Sequence, residues 1–254
     1  MSVEVIIIGD EVLLGIVKEE NANYIIEEVT KRGFRVRRVF IIGDNINEIK
    51  ESIQASLRRG TNLIITTGGL GPTEDDLTLD AISEALNIEL KLDQECVEKI
   101  KKAYKGEIPE GALKMARRLE GAKIYESPLG LAPAQLLNLG RSLILVLPGP
   151  PREVRSLLPR ILDDIADIFG KRAKCGSRFY VEAREAEIMD ILAEIIKKYD
   201  VYAKAIVGEC VKGKLPVEIV VFDKDEEKCR RRLSIAKNYF CEKVREKLGK
   251  GCID

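Results

Sequence analysis

The stretch TTGGLGPTEDDLT, residues 66–78, decides how the rest of the chain is read. Ahead of it, the short apolar run Leu63-Ile64-Ile65 has the character of a buried strand. Behind it, Leu79, Ile82, Ala85 and Leu86 recur at helical spacing. The stretch is therefore a strand-to-helix crossover loop. Gly68, Gly69 and Gly71 carry no Cβ, so a ligand can come close to the backbone amides. Thr66, Thr67, Thr73 and Thr78 add hydroxyls, and Glu74, Asp75 and Asp76 add carboxylates. Amides at a helix N-terminus favour an anion, whereas adjacent carboxylates favour a divalent cation. A phosphate ester carried with its metal satisfies both. A plain turn with an acid capping the helix uses the same residue types, but so many glycines, threonines and acids together point to a ligand. No Lys follows the glycines, which excludes a Walker A loop, and Gly68-Gly69-Leu70-Gly71 is too compact for a dinucleotide fingerprint.

Working outward, residues 3–8 form a near-continuous apolar strand that ends at Gly9-Asp10-Glu11. Carboxylates just past a buried strand stand where α/β folds place ligands, so Asp10 and Glu11 are candidates to hold a metal or a ribose; a loop-entry cap is the alternative. Residues 22–30 read as a helix with Asn21 as its cap and Gly33 as its stop. A strand over residues 34–42 leads to Gly43-Asp44-Asn45, which adds Asp44 to the candidates, and residues 47–59 form the next helix. Strands and helices alternating in this way imply right-handed crossovers and a parallel sheet, with acidic strand ends gathered at one edge.

Residues 93–104 read as an exposed helix and residues 112–119 as a short one. After a strand at 122–125 and an irregular loop at 127–134, residues 135–138 and 143–147 form antiparallel strands, so the sheet is mixed. Pro148-Gly149-Pro150-Pro151-Arg152-Glu153 then opens a helix to residue 169, with Pro151 suited to its first turn. This loop makes a second wall of the site, and Arg152 either reaches a phosphate or stands in solvent. The polar run 170–176 reads as a linker. Beyond it, a strand at 179–181, a helix at 186–196, a strand pair at 201–207 and 217–222, and a charged helix at 225–248 make a small β-α-β-β-α domain. It shows no chemical constellation and suits packing or oligomer contact. The expected organisation is an α/β domain at 1–170 and a small α+β domain at 177–254.

These residues resemble a known family. The loop matches the pattern TTGGLGPTxDDLT of the molybdopterin-binding (MoaB/MogA-like) superfamily, specifically the N-terminal domain of competence-damage-inducible (CinA-like) proteins, at every fixed position. Gly9-Asp10-Glu11-Val12-Leu13-Leu14-Gly15, Gly43-Asp44-Asn45 and Leu147-Pro148-Gly149-Pro150-Pro151-Arg152-Glu153 agree in the same order. At 127–134 the family reads NxxGxAPG; Gly130, Ala132 and Pro133 match, while Ser127 replaces the Asn and Ala134 the final Gly.

The resemblance implies a three-layer, mostly parallel sheet and a homo-oligomer, dimer or trimer. It implies one of two functions. The first is a hydrolase of nucleotide pyrophosphates of the ADP-ribose type, dependent on a divalent metal (Mg, Mn or Co). The second is a module that holds molybdopterin or its nucleotide, with or without adenylyl transfer. The doubled Asp and the small extra domain favour the first. In that reading Asp76 binds metal and positions the reaction, Asp75 assists, and Asp10, Glu11 and Asp44 complete a carboxylate cluster, with Asp76, Asp10 and Asp44 as metal ligands. Thr67, Gly68, Gly69, Gly71, Thr73 and Thr78 cradle phosphate, Thr78 serving equally as a helix cap. Gly9, Gly130, Pro148, Gly149 and Arg152 contribute further ligand contacts. Full-length relatives often carry a later amidohydrolase domain, whose deamidation activity is not expected here.

Composition narrows the chemistry further. Lys+Arg and Asp+Glu are both 42, a balance unlike a dedicated nucleic-acid or membrane-surface protein. No apolar run has the length of a membrane span, and Met1-Ser2 leads straight into the first strand, so a cytoplasmic location without a signal peptide is expected. Cys96, Cys175, Cys210, Cys229, Cys241 and Cys252 include no CxxC pair, and His is absent, which disfavours structural zinc. Most read as core thiols. Because 33% charged residues suggest a thermophile, a disulfide remains open. Without His there is no Ser-His or Cys-His nucleophile, and hydrolysis must rest on carboxylates, a metal-activated water, or Thr and Lys groups.

Overall fold

The computed structural model describes residues 1–253 and, within that span, every side chain but that of Glu110. The elements run β1 (Ser2–Ile8), α1 (Asp10–Leu13), α2 (Asn21–Lys31), β2 (Arg35–Ile42), α3 (Ile46–Arg58), β3 (Leu63–Thr67) and α4 (Thr78–Leu86). Next come β4 (Leu90–Leu92), α5 (Gln94–Ala103), a 3-10 turn (Glu110–Ala116), β5 (Arg117–Leu119), β6 (Lys123–Tyr125), β7 (Ala134–Asn138), β8 (Leu143–Leu147) and α6 (Pro151–Phe169). The chain closes with β9 (Ala173–Val181), α7 (Glu185–Tyr199), β10 (Tyr202–Ala205), β11 (Leu215–Asp223), α8 (Glu226–Leu248) and β12 (Cys252–Ile253). It folds as two compact units, one of Met1–Thr30 and Arg35–Ile165, the other of Lys31–Phe34 and Ala166–Asp254.

The first unit is built on a sheet of order β2-β1-β3-β8-β7-β6. Its first four strands are parallel; β7 runs antiparallel to them, and β6, antiparallel to β7, points the same way as the first four. The inner parallel strands β1, β3 and β8 are covered on both faces, which is why their sequences are nearly all apolar, whereas the edge strand β2 keeps exposed residues among three arginines. Ile6, Ile8, Ile64, Ile144 and Val146 pack with Ile49 and Ile53 of α3, Ile82 of α4 and Ile100 of α5. Val5, Ile7, Ile65, Leu145 and Leu147 are equally buried, as are Ile25 and Val29 of α2 and Leu158 and Ile161 of α6, the helices of the other layer. The mixed, mostly parallel sheet expected from the sequence is therefore present.

Local readings differ in places. Residues 112–119 are helical only in part: a 3-10 helix spans Glu110–Ala116, after which β5 pairs antiparallel with β4. The reason is Gln135, a buried amide whose Oε1 accepts from Leu119 N at 2.9 Å and whose Nε2 donates to Arg117 O at 2.8 Å. It draws the chain into extended form where local spacing suggested otherwise. Asn21 is the first residue of α2, not its cap: Glu19 accepts from the amides of Asn21 and Ala22 at 2.7 and 2.9 Å. The polar run at 170–176 is not all linker, because β9 begins at Ala173 and pairs along its length with β11. Its alternate residues are exposed, which hid the strand among lysines.

The second unit is an antiparallel sheet of order β10-β11-β9-β12 packed against α7 and α8. Phe179 and Phe240 meet edge to face at 5.6 Å within its core. A Cys241–Cys252 disulfide fastens the end of α8 to β12. Closing so short a loop restricts the unfolded chain, so Cys252→Ser should lower unfolding stability by about 2–3 kcal/mol under non-reducing conditions, read by urea unfolding with and without reductant.

Glu4 is a carboxylate buried in the middle of β1, 1% exposed. Ser56, Arg38 and Arg59 all donate to it, the last through two bonds at 2.6 and 3.0 Å. Burial works to raise its pKa, but the hydrogen bonds and the guanidinium charge prevail and hold it at about 2. A depressed acid contributes stability that is fully present above its ordinary value, near 4.5, and lost as the pH falls toward 2. Glu4→Gln should therefore cost about 2–3 kcal/mol at neutral pH. The gap to the wild type should close across that acid window in denaturant titrations.

Candidate functional site

Parallel register brings the strand ends together. Ile7 pairs with Thr67, Thr67 with Leu147, and Ile8 with Ile42. The segments that follow, at Gly9, Gly43, Gly68 and Pro148, therefore leave the sheet along one edge, where α/β sheets place ligands. A cleft of about 550 Å³ opens there.

The glycine loop is shaped by its own acid. Asp76 accepts from the amide of Gly71 at 2.6 Å, the amide of Thr73 at 2.9 Å and the Thr73 hydroxyl at 2.5 Å. Lys114 braces the same loop from outside by donating to the Thr73 carbonyl at 2.5 Å. Gly68 sits at φ +106°, and a Cβ on it would lie 2.0 Å from the Ile8 carbonyl oxygen, so only glycine lets the loop pass over β1. The amides of Gly69 and Leu70, both lining the cleft, form no hydrogen bond among the described residues. They are donors open to an anion.

The opposite side is acidic. Asp10 and Asp44 clasp each other across β1 and β2: the amide of Asp10 donates to Asp44 Oδ2 at 2.7 Å and the amide of Asp44 to Asp10 Oδ1 at 3.3 Å. Gly43 leaves room for this clasp: a Cβ there would stand 2.4 Å from Asp10 Oδ1 and push that carboxylate aside. Burial pushes the Asp44 carboxyl above its usual range; the Asp10 amide opposes this, and the charges of Glu11, Asp10 and Asp75 add to it. Together these acids build a region of negative potential that disfavours each further negative charge.

The structure sorts the sequence candidates. Gly9, Glu11, Asp44, Gly68, Gly69, Gly71, Thr73, Asp75, Asp76, Pro148 and Gly149 line the cleft together. Thr67 and Thr78 do not reach it: both are buried, and their hydroxyls donate to the carbonyls of Pro148 and Gly68 at 2.7 and 2.8 Å. They hold the walls rather than a phosphate. Arg152 is exposed and stands off the cleft, while its neighbour Glu153 lines it. Gly130 is also absent from the lining; it makes room for Glu153, whose carboxylate would be 1.8 Å from a Cβ there. Asp76, Asp10 and Asp44 do not form a metal cage. Asp76 is engaged by loop donors, and among the described residues no three His, Cys, Asp or Glu side chains gather to hold an ion.

Two residues escaped sequence reading. Asn21, 7% exposed, donates to the carbonyl of Gly149 at 2.8 Å and to the Thr67 hydroxyl at 3.3 Å, tying α2 to both loops of the site. Glu153 takes the Ser127 hydroxyl at 2.9 Å. Asn21 had a signal in being a polar residue at the start of an apolar helical pattern, but its partners lie far off in sequence.

Residues 4–167 match the family described as "probable molybdopterin binding domain". A protein of Pyrococcus abyssi is 36% identical over 89% of this chain and 92% of its own length. A CinA-like protein of Thermotoga maritima is 35% identical over 82% of this chain, and the match spans 51% of that relative. A solved structure from Thermoplasma acidophilum, described as the protein CinA with unknown function, is 33% identical and covers 65% of this chain and 97% of its own, with a TM-score of 0.61. No helix among the described residues is long and apolar enough to cross a membrane.

The charge cluster makes a testable statement. Asp44 binds its proton more tightly folded than unfolded, so its ionisation costs stability as the pH rises out of the ordinary carboxylate range. Asp44→Asn keeps an oxygen for the Asp10 amide and removes the charge. Its melting temperature should exceed that of the wild type at neutral pH, with the gain vanishing in acid below that range.

Proposed function

From the premise that the chain belongs to the molybdopterin-binding-domain family, on its CinA-like branch, we propose that the cleft binds a nucleotide diphosphate linkage together with a divalent cation and hydrolyses it. ADP-ribose is the leading substrate class. The observation that carries this reading is the two-signed cleft: the free amides of Gly69 and Leu70 share it with the carboxylates of Glu11, Asp44 and Asp75. Bare carboxylates would repel a phosphate, and amides alone would not need them.

The donor set fits a particular kind of cation. A small hard ion such as Mg²⁺ commonly keeps several waters and takes one or two carboxylates plus substrate phosphates, rather than a protein cage. Glu11 and Asp75 would hold it, and when bound it supplies charge neutralisation at the phosphate oxygens. The chain's own residues account for the rest. The Gly69 and Leu70 amides fix the phosphate oxygens, and the Asp76 clasp keeps those amides in place without reorganisation. Asp44 Oδ1, the oxygen not engaged by the Asp10 amide, accepts the proton of the attacking water, a role matched to its raised proton affinity. Water adds to one phosphorus and the bridging P–O bond breaks, so ADP-ribose yields AMP and ribose 5-phosphate. Leu70, Met115, Leu131 and Ala132 offer an apolar wall for a flat ring.

That same apolar wall supports a second reading, in which the cleft holds a pterin phosphate or its nucleotide and performs no hydrolysis. A screen of ADP-ribose, FAD, NAD and ATP with Mg²⁺, Mn²⁺ or Co²⁺ separates the two. Release of AMP is expected, falling by about a hundredfold or more in Asp44→Asn and in Asp76→Asn. Wild-type turnover in both variants would remove these residues from the mechanism. Saturable binding of a pterin or adenine nucleotide without turnover would establish the second reading.

A further inference from the structure

Basic and acidic residues are equal in number along this chain, 42 of each, yet one cavity of the second unit concentrates a single sign. Its volume is about 610 Å³, and Lys31, Lys171, Arg172, Lys174, Lys224 and Arg230 line it against one acid, Glu226. Glu226 is already paired with Arg230 at 2.6 Å. Asp223, next along the chain from Lys224, is taken by Arg232 at 3.2 Å and by the amides of Lys224 and Asp225. Among the described residues, Lys171, Lys174 and Lys224 pair with no carboxylate, so positive charge stays in excess there.

The hollow is a product of the fold rather than of side chains drifting together. Gly33, at φ +75°, lets the turn Lys31–Phe34 press onto the next segment, where a Cβ would stand 2.6 Å from the Arg172 carbonyl carbon. Register then aligns the other wall: Ala173 pairs with Asp223 and Lys174 with Phe222, so the turn carrying Lys224 meets the start of β9. Arg172 is half-buried in this wall, and its Nε is buried without a hydrogen-bond partner. A donor in that condition has lost its water and gained nothing in return. Cations from four separate segments converge on the hollow. A nucleic-acid surface would instead carry them as a stripe along one helix or face.

We propose that this cavity is a second ligand site, independent of metal, that takes the phosphate groups of a compact anion of the pyrophosphate type, such as the diphosphate of a nucleotide. Guanidinium and ammonium groups meet such oxygens directly through charge-assisted hydrogen bonds. The acidic cleft of the first unit needs a cation to accept the same chemistry, and this site does not.

The test is calorimetric titration of the whole protein with inorganic pyrophosphate in EDTA. One saturable site is expected, weakened by salt. Lys171→Ala/Lys174→Ala should weaken it roughly tenfold or more, and Lys224→Ala, on a different segment, in the same direction. All three lysines are exposed, so the variants keep their fold. Pyrophosphate should also slow alkylation of Cys175, which lines the cavity, and leave the exposed Cys210 unaffected. No binding in EDTA, or binding unchanged in these variants, overturns the proposal. So does binding that requires Mg²⁺, which belongs to the acidic cleft. A single-stranded oligoribonucleotide that binds where pyrophosphate does not would make this a nucleic-acid groove instead. Absence of hydrolysis at the cleft leaves the test untouched.

Discussion

The carboxylate of Asp76 accepts from two loop amides and a loop hydroxyl, and the shape of the site follows from that clasp. A loop rich in glycine has many conformations to lose, and a turn held only by its own backbone would lose them at large entropic cost. An ionised acceptor taking several donors supplies strong, directional bonds in one place. Once Gly71 and Thr73 are fixed, the amides of Gly69 and Leu70 have nowhere to find a partner in the chain. The loop is thus stabilised in a form that leaves two donors unpaired, which is the condition for binding an anion without rearrangement.

The same residue type plays an opposite part across the cleft. Asp76 is surrounded by donors, so its charge is satisfied within the loop. Asp44 is part-buried, receives one amide and otherwise faces the charges of Glu11, Asp10 and Asp75, so burial first and those charges after it hold its charge at a cost. Two carboxylates near one cleft are set apart by what surrounds them, one satisfied by loop donors and one held against burial and like charges. Counting acids does not separate them; tracing their hydrogen bonds does.

Much of this was legible in the sequence because it is local. The central loop, the strand ends at Gly9, Asp44 and Pro148, and the alternation of strands and helices all express short-range patterns, and the structure places them at one edge. What escaped notice depends on partners remote in sequence. Thr67 reads as a phosphate ligand until Pro148, 81 residues away, takes its hydroxyl. Gln135 turns residues 117–119 into a strand through bonds that no helical pattern anticipates. The start of β9 hid because alternating lysines suit an exposed linker as well as a strand whose outer face is solvated.

The loop at 127–134 shows how departures from a family pattern are accommodated. Ser127 stands where the CinA-like pattern reads Asn, and its hydroxyl accepts from the amides of Leu129 and Gly130 at 3.3 and 2.9 Å while donating to Glu153 at 2.9 Å. A single oxygen both turns the loop and orients the acid that lines the cleft. Lys99 reinforces the arrangement by donating to the Ser127 carbonyl at 2.5 Å. Ala134, in place of Gly, is the first residue of β7, fully buried and paired with Tyr125 in ordinary extended backbone, where no glycine is needed. Gly130 is different: the space its Cβ would fill belongs to Glu153. The three positions therefore differ in tolerance for a physical reason. A hydrogen-bonding role passes from one polar residue to another and a strand accepts a small residue, whereas a side chain at 130 must first drive the Glu153 carboxylate from its Ser127 hydrogen bond.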